Sequence, residues 1–280
     1  MIAQNSPLIR PLDIQGDDKV IIDARSGPGA HKRYLEGHLQ DALHVDLDRD
    51  LSSKPIEPAY GGRHPLPDLK NFTALVGKLG ITPSSTVIIY DDKSGANAAA
   101  RLWWMLRAVG HEKVQVVDGG LDAIIRDGLT MTSGKEDPDP TSAYPADKWL
   151  LPMVTLNKVV DSVESEDFLV IDVRESYRYR GEAEPIDLVA GHIPGAINIP
   201  YLENLAKDGS FRSPEDLAKT YKAAIGGRPS SNIIVHCGSG VTACHTLLAL
   251  EHAGIQGANL YVGSWSEWSR RGLPIATGDK

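Results

Sequence analysis

Two cysteines in 280 residues are too few for a disulfide framework or a four-cysteine zinc site. They suit free thiols in a reducing compartment, so a cytoplasmic protein is expected. Positive charge is also scarce: 29 Lys and Arg against 37 Asp and Glu leave a formal charge of −8. Nucleic acid and anionic membranes both reward a basic surface, so neither is an expected partner. An anionic small molecule needs only a locally positive pocket and stays open. The opening MIAQNSPLIRPLDIQGDDKV has no uninterrupted apolar core of signal-peptide length. No later apolar run approaches the roughly 18 residues of a membrane helix. What is present is ordinary for a globular chain, with 41% hydrophobic and 24% charged residues, at about twice the size of one domain.

The chain is written twice. KVIIDARSGPGAHKRYLEGHLQDALHVDLD in the first half answers to FLVIDVRESYRYRGE and AGHIPGAINIPYLE in the second. Asp23 and Arg25 match Asp172 and Arg174, and Gly37-His38 matches Gly191-His192. Such long-period self-similarity implies two copies of one domain. Short β-branched runs (Val20–Ile22, Val87–Ile89, Val114–Val117, Leu169–Ile171, Ile233–Val235, Leu260–Val262) alternate with helical patterns such as LKNFTALVGKLG and PEDLAKTYKAAIG. Strand-helix alternation predicts an α/β fold, a mostly parallel sheet covered by helices on both faces. GKEDPDPTSAYPADKW, rich in proline and acid, reads as the linker, with the boundary near residue 145. The expected division is 1–135, 136–150 as linker, and 151–280.

One of the two cysteines stands in NIIVHCGSGVTACHTLLALEHAG, where a strand hands over to a helix starting near Val241 or Thr242. Ligands of open α/β sheets bind beyond the carboxyl ends of strands. Gly238, Ser239 and Gly240 leave room for the backbone to curl and turn its N–H groups inward. Together with the amides of Val241 and Thr242 at the helix start, that makes a cradle for negative charge. A cysteine in such a cradle is expected to be a thiolate nucleophile. Cys244, one turn into the helix among leucines, reads as structural. His236-Cys237 also fits the opening of a cysteine phosphatase loop, but Ala243 stands where that loop needs arginine, and a phosphoryl group would lose its clamp. Aligned strands put Asp91 opposite Cys237. A carboxylate carries no transferable sulfur and is expected to spoil an anion nest, so the first copy reads as inactive.

Taken with the duplicated layout and GHIPGA, the CGSGVTA loop resembles the tandem-domain rhodanese family, in particular its 3-mercaptopyruvate sulfurtransferases. The resemblance implies two tandem rhodanese-like domains, each a mostly parallel five-stranded sheet flanked by helices, with activity in the second copy. It implies a sulfurtransferase with no organic cofactor or metal, in which Cys237 takes a sulfane sulfur from 3-mercaptopyruvate or thiosulfate and passes the persulfide sulfur to a thiol or cyanide acceptor. A thioredoxin-like protein is one thiol acceptor of that kind. Ser239 within the loop favours mercaptopyruvate as donor. A thiosulfate-preferring enzyme, or a relay module loaded by a partner protein, remains the alternative.

The same resemblance makes Arg178 the donor-binding arginine and groups Asp48 and His64 with Ser239 in a proton relay. Gly238, Gly240, Val241 and Thr242 complete the donor cradle. Members that use mercaptopyruvate usually carry a second arginine after the Glu-Pro of this region, whereas here Ile186 and Asp187 follow. Arg63 is a further source of positive field. Asp23–Arg25 and Asp172–Arg174 recur in both copies, the inactive one included, and read as structural ion pairs. Gly37-His38 and Gly191-His192 read as architectural on the same ground. Trp103, Trp104, Trp265 and Trp268 read as core.

Overall fold

The computed structural model describes residues 6–16 and 19–279. It divides into two compact units. One comprises Met1–Ser53, Pro67–Leu150 and Lys207–Phe211; the other comprises Lys54–Leu66, Leu151–Ala206 and Arg212–Lys280.

Each unit holds a five-stranded sheet. In the first, the strand order is Leu8–Ile9, Val114–Val117, Thr86–Tyr90, Lys19–Asp23, Ala42–His44, with every neighbouring pair parallel. In the second it is Ile197–Asn198, Leu169–Asp172, Ile233–His236, Asn259–Tyr261, Met153–Val154, again parallel throughout. Purely parallel sheets need cover on both faces, which explains why their inner strands are apolar runs and not alternating ones. Ile88 and Ile89, like Ile234 and Val235, are buried on successive positions.

Helices supply that cover, and their ends are written locally. Asp68 caps the helix Leu69–Lys78 by accepting the Lys70 N–H, and Ser213 caps Pro214–Ile225 by accepting that of Asp216. Gly226 ends the latter in the left-handed conformation at φ 62°, where a Cβ is costly. Trp265 and Trp268 lie buried with Val170, Ile193, Ile234 and Tyr261 in one core cluster of the second unit. Trp103 and Trp104 are buried within the helix Ala99–Ala108 of the first.

The proline-rich segment after residue 133 is part of the first unit. The Thr141 and Tyr144 amides donate to the carbonyls of Gly77 and Thr73, and a Cβ at Gly77 would collide with the Ser142 carbonyl. The segment is thus a strap and not a free spacer.

The duplication extends to buried polar detail. Arg25 binds Asp23 through Nε and Nη2 and donates to the Gly37 carbonyl at 2.7 Å. Arg174 does the same with Asp172 and donates to Gly191 at 2.6 Å. His38 Nδ1 bonds the Tyr34 carbonyl while the two rings stack, and His192 repeats both contacts with Tyr179. A charge removed from water needs this degree of pairing, so these residues hold strand ends to the following turns. Among the described residues no helix is long and apolar enough to cross a membrane.

Candidate active site

Cys237 follows the central strand Ile233–His236 of the second unit. Its N–H donates to Ser264 Oγ at 3.2 Å, and its carbonyl accepts from the Trp265 N–H at 3.0 Å. The next carbonyl, of Gly238, accepts from Ser266 at 2.8 Å. The loop is therefore pinned on its carbonyl side by the start of the helix Ser264–Trp268. Gly240 completes the curl at φ +74°, and a Cβ there would stand 2.5 Å from the Val262 carbonyl oxygen. No other residue type fits both the backbone and the space. Val241 precedes the helix Thr242–His252 as its N-terminal flanking residue, so the chain turns from strand to helix within residues 237–241. Cys237 itself is buried. Cys244 lies inside the helix with its Sγ 3.4 Å from the Gly240 carbonyl, tied to the backbone of its own turn.

The corresponding loop of the first unit shows what such a turn does with negative charge. Asp91 follows the central strand Thr86–Tyr90 and is fully buried. Its Oδ1 accepts the amides of Lys93 and Gly95, each at 2.8 Å, and its Oδ2 those of Asn97 and Ala99, each at 3.1 Å. The expectation that the carboxylate would spoil an anion nest is corrected: it fills the nest. The longer loop, residues 91–98 against 237–241, is what lets a side chain reach back into its own amides.

The segment Lys54–Leu66 belongs to the second unit and is stitched to the same helix start. Gly61 N–H donates to Glu267 Oε1 at 3.0 Å, and Arg63 N–H to Ser266 Oγ at 3.0 Å. Gly62, at φ +81°, lies so close to the Gly263 carbonyl that a Cβ would clash. This stitching sets His64 Nδ1 2.7 Å from Ser239 Oγ, a bond in which either atom can donate. Asp48, expected beside them, lies in the short helix Leu47–Asp50 of the first unit, exposed to solvent. His236 is buried 3.7 Å from Asp172. Burial pulls its pKa down, the Asp172 charge pushes back, and the net is lower than usual. It stays neutral and serves packing.

Arg178 sits in the turn Ser176–Tyr179 with its side chain almost wholly buried. Expected as the donor-binding arginine, it is paired with Glu184 at 2.8 Å, Glu175 at 3.4 Å and Asp187 at 3.6 Å. Burial disfavours its charge, but the Glu184 bond and charge outweigh that and its pKa is raised. Glu184 is pushed up by burial and pulled down further by Arg178, so its pKa is lowered. A Cβ built on Gly238 would lie 3.1 Å from Arg63 Nη2 and 3.5 Å from Arg178 Nη2, so two guanidiniums reach the loop. Glu184 and Arg270 escaped the sequence reading. A clue to Glu184 was there, since acids at 182, 184 and 187 follow arginines at 174, 178 and 180. Arg270, one helical turn past Ser266, carried no comparable signal.

A family model described as a rhodanese-like domain matches residues 10–127 and again 155–271. A protein of Pseudomonas aeruginosa named "Probable 3-mercaptopyruvate sulfurtransferase" is 41% identical over 272 residues, 94% of this chain and 93% of its own length. The mouse thiosulfate sulfurtransferase is 36% identical over 251 residues, 88% of this chain and 82% of its own. The structure of 3-mercaptopyruvate sulfurtransferase from Leishmania major superposes with a TM-score of 0.82 at 30% identity, covering 94% of this chain and 74% of that one. With two matched domains and relatives alike over nearly the whole length, the chain belongs to the rhodanese family, as a tandem of two rhodanese-like domains.

Proposed function

We propose that this chain is a sulfurtransferase that carries one sulfur atom on Cys237 from an anionic donor to a thiol or cyanide acceptor. The thiolate sulfur of Cys237 attacks the donor's outer sulfur and forms a new S–S bond as the donor's bond to that sulfur breaks. From thiosulfate the leaving group is sulfite. From 3-mercaptopyruvate it is the enolate of pyruvate, which takes a proton to become pyruvate. A thiol then attacks the outer sulfur of the Cys237 persulfide and leaves as a persulfide itself, while cyanide leaves as thiocyanate; Cys237 is regenerated in both cases. Amides of Gly238, Ser239, Gly240, Val241 and Thr242 receive the negative charge as it moves along the sulfurs. Arg178 and Arg63 draw the donor anion to the loop.

The observation that carries this reading is the contrast between the two loops. Each follows the central strand of its sheet and turns into a helix. One encloses its own Asp91 carboxylate, and the other presents Cys237. The first domain, 1–135, is accordingly the non-catalytic copy, residues 136–150 join it to the second, and 151–280 with the borrowed segment bearing Arg63 and His64 does the chemistry.

3-Mercaptopyruvate is the favoured donor because the His64–Ser239 pair has work to do only there. Sulfite departs as a stable anion, whereas the enolate needs a proton delivered where it forms. A thiol protein of thioredoxin type in the cytoplasm is the proposed acceptor, in keeping with two free cysteines among the described residues. Steady-state kinetics with both donors, together with intact mass of the protein after donor exposure, tests the reading. The expected result is one added sulfur atom on Cys237 and faster turnover with mercaptopyruvate. Sulfur accepted only from a protein donor would replace this reading with the relay module. No added sulfur from any donor would end both.

A further inference from the structure

Asp187 is the least expected group at this loop. Its side chain is fully buried and three arginines converge on it. Arg63 Nε donates to Oδ1 at 3.1 Å and Nη2 to Oδ2 at 3.4 Å, Arg270 Nη1 donates to Oδ1 at 3.0 Å, and Arg178 Nη2 stands 3.6 Å from Oδ2. A Cβ on Gly238 would be 3.8 Å from Asp187 Oδ2, almost as near as the two guanidiniums that reach the same point. A donor anion held above Gly238 therefore meets a fixed negative charge as well as positive ones. Glu184 adds a second, shared between Arg178 and Arg174. These two carboxylates offset part of the arginines' charge where an anion site would ordinarily be strongly cationic.

Coulomb energy scales with the charge of the incoming group. A fixed carboxylate beside the site thus penalises a dianion about twice as much as a monoanion at the same place, in logarithmic terms. Thiosulfate is a dianion, and 3-mercaptopyruvate carries one full charge on its carboxylate. We infer that Asp187 is a specificity-determining residue that partly neutralises the Arg63–Arg178–Arg270 cluster and so selects singly charged sulfur donors over doubly charged ones. The inference rests on the reading of Cys237 as a carrier loaded by anionic donors, and it adds which donor charge the site accepts.

Asp187→Asn keeps the shape and removes the charge. For that variant kcat/KM is expected to rise about threefold with mercaptopyruvate and about tenfold with thiosulfate, the larger gain being roughly the square of the smaller. Both gains should shrink as salt is added. Asp187→Glu should keep the parent preference, and Arg270→Gln, which removes a cation bound to Asp187, should move it the opposite way, with thiosulfate losing more. Circular dichroism checks each variant's fold; should Asp187→Asn not fold, the sign of the Arg270→Gln change decides. An unchanged donor ratio in Asp187→Asn, or the same shift in Asp187→Asn and Asp187→Glu, overturns the inference. A binding arm works without turnover: thiosulfate and pyruvate are titrated into Cys237→Ser with and without Asp187→Asn. There too thiosulfate should gain more affinity, and equal gains overturn the inference even if sulfur transfer itself is absent.

Discussion

Nδ1 of His64 and Oγ of Ser239 stand 2.7 Å apart, although 175 positions separate them in the chain. The bond exists because Gly61 and Arg63 are hydrogen-bonded to Glu267 and Ser266, with Gly62 packed close against the Gly263 carbonyl between them. A hydroxyl held by an imidazole can pass a proton in either direction, and the sulfur loop is the place where one departing group needs it. Ser239→Ala and His64→Gln are each expected to lower kcat/KM for mercaptopyruvate by about a hundredfold, the usual scale of lost general acid catalysis. Thiosulfate turnover should change by less than about threefold, since sulfite needs no proton. Equal losses with the two donors would make the pair a prop for the loop and nothing more.

The two cysteines make a cleaner pair of variants. Cys237→Ser is expected to abolish added sulfur and transfer while the fold is kept, because the side chain is replaced by one of similar size. Cys244 is buried in the helix with its Sγ at the Gly240 carbonyl. Cys244→Ser should retain most activity and lose at most about 1–2 kcal/mol of stability, since a hydroxyl can keep the same acceptor. Intact mass after donor exposure reads both outcomes. Added sulfur on the Cys237→Ser protein would place the carrier elsewhere.

Asp91 predicts a structural phenotype in the copy that does no chemistry. Truncation to Ala strands the amides of Lys93, Gly95, Asn97 and Ala99 around an empty space. A buried donor without a partner costs about 1–3 kcal/mol, so a loss of several kcal/mol is expected where water cannot enter. Asp91→Asn, which keeps one oxygen as acceptor, should lose less. Chemical unfolding measures both, and near-parent stability of Asp91→Ala would mean that the amides find other partners readily.

Much of this architecture was open to reading because its signals are local. A β-branched run ending in Cys237 or Asp91 identifies a strand end, and Gly238 and Gly240 identify a turn. Recurrence of Asp23–Arg25 as Asp172–Arg174 identifies the duplication. What escaped depends on contacts far apart in sequence. Nothing near Asp187 announces that Arg63 and Arg270 meet on it, at separations of 124 and 83 residues. The sequence could show an acid where an arginine was expected, and so suggested a half-missing clamp; only the fold shows arginines arriving from two other segments. Arg178 is the same lesson in reverse. Its position was legible, but the carboxylates of Glu175 and Glu184 that occupy it were not, because salt-bridge partners are chosen by the path of the loop.

Acid should weaken this protein in two stages. His44, His111, His192 and His236 all have pKa values below the ordinary 6.5 of histidine, with burial the leading cause each time. The unfolded chain therefore binds protons that the folded one refuses. The stability these groups contribute is present above 6.5 and is lost as pH falls toward their folded values, by up to about 1.4 kcal/mol per pH unit for each histidine. Glu184 and Asp172 are depressed as well. Burial alone would raise both, but Arg178 outweighs it at Glu184, and the charge and hydrogen bonds of Arg174 outweigh it at Asp172. Their contributions hold above the ordinary 4.5 and 3.8 and go as pH drops further. The urea midpoint is thus expected to decline from pH 6.5 to 5 as the histidines take up protons, and to decline again below about 4.5 as the two carboxylates do. His192→Phe preserves a ring stacked on Tyr179 while removing the titration. It should start from a lower midpoint, because the bond to the Tyr179 carbonyl is gone, yet show a shallower first stage. A midpoint that stays level or climbs between pH 6.5 and 5 in the parent protein would contradict the assignment of buried neutral imidazoles.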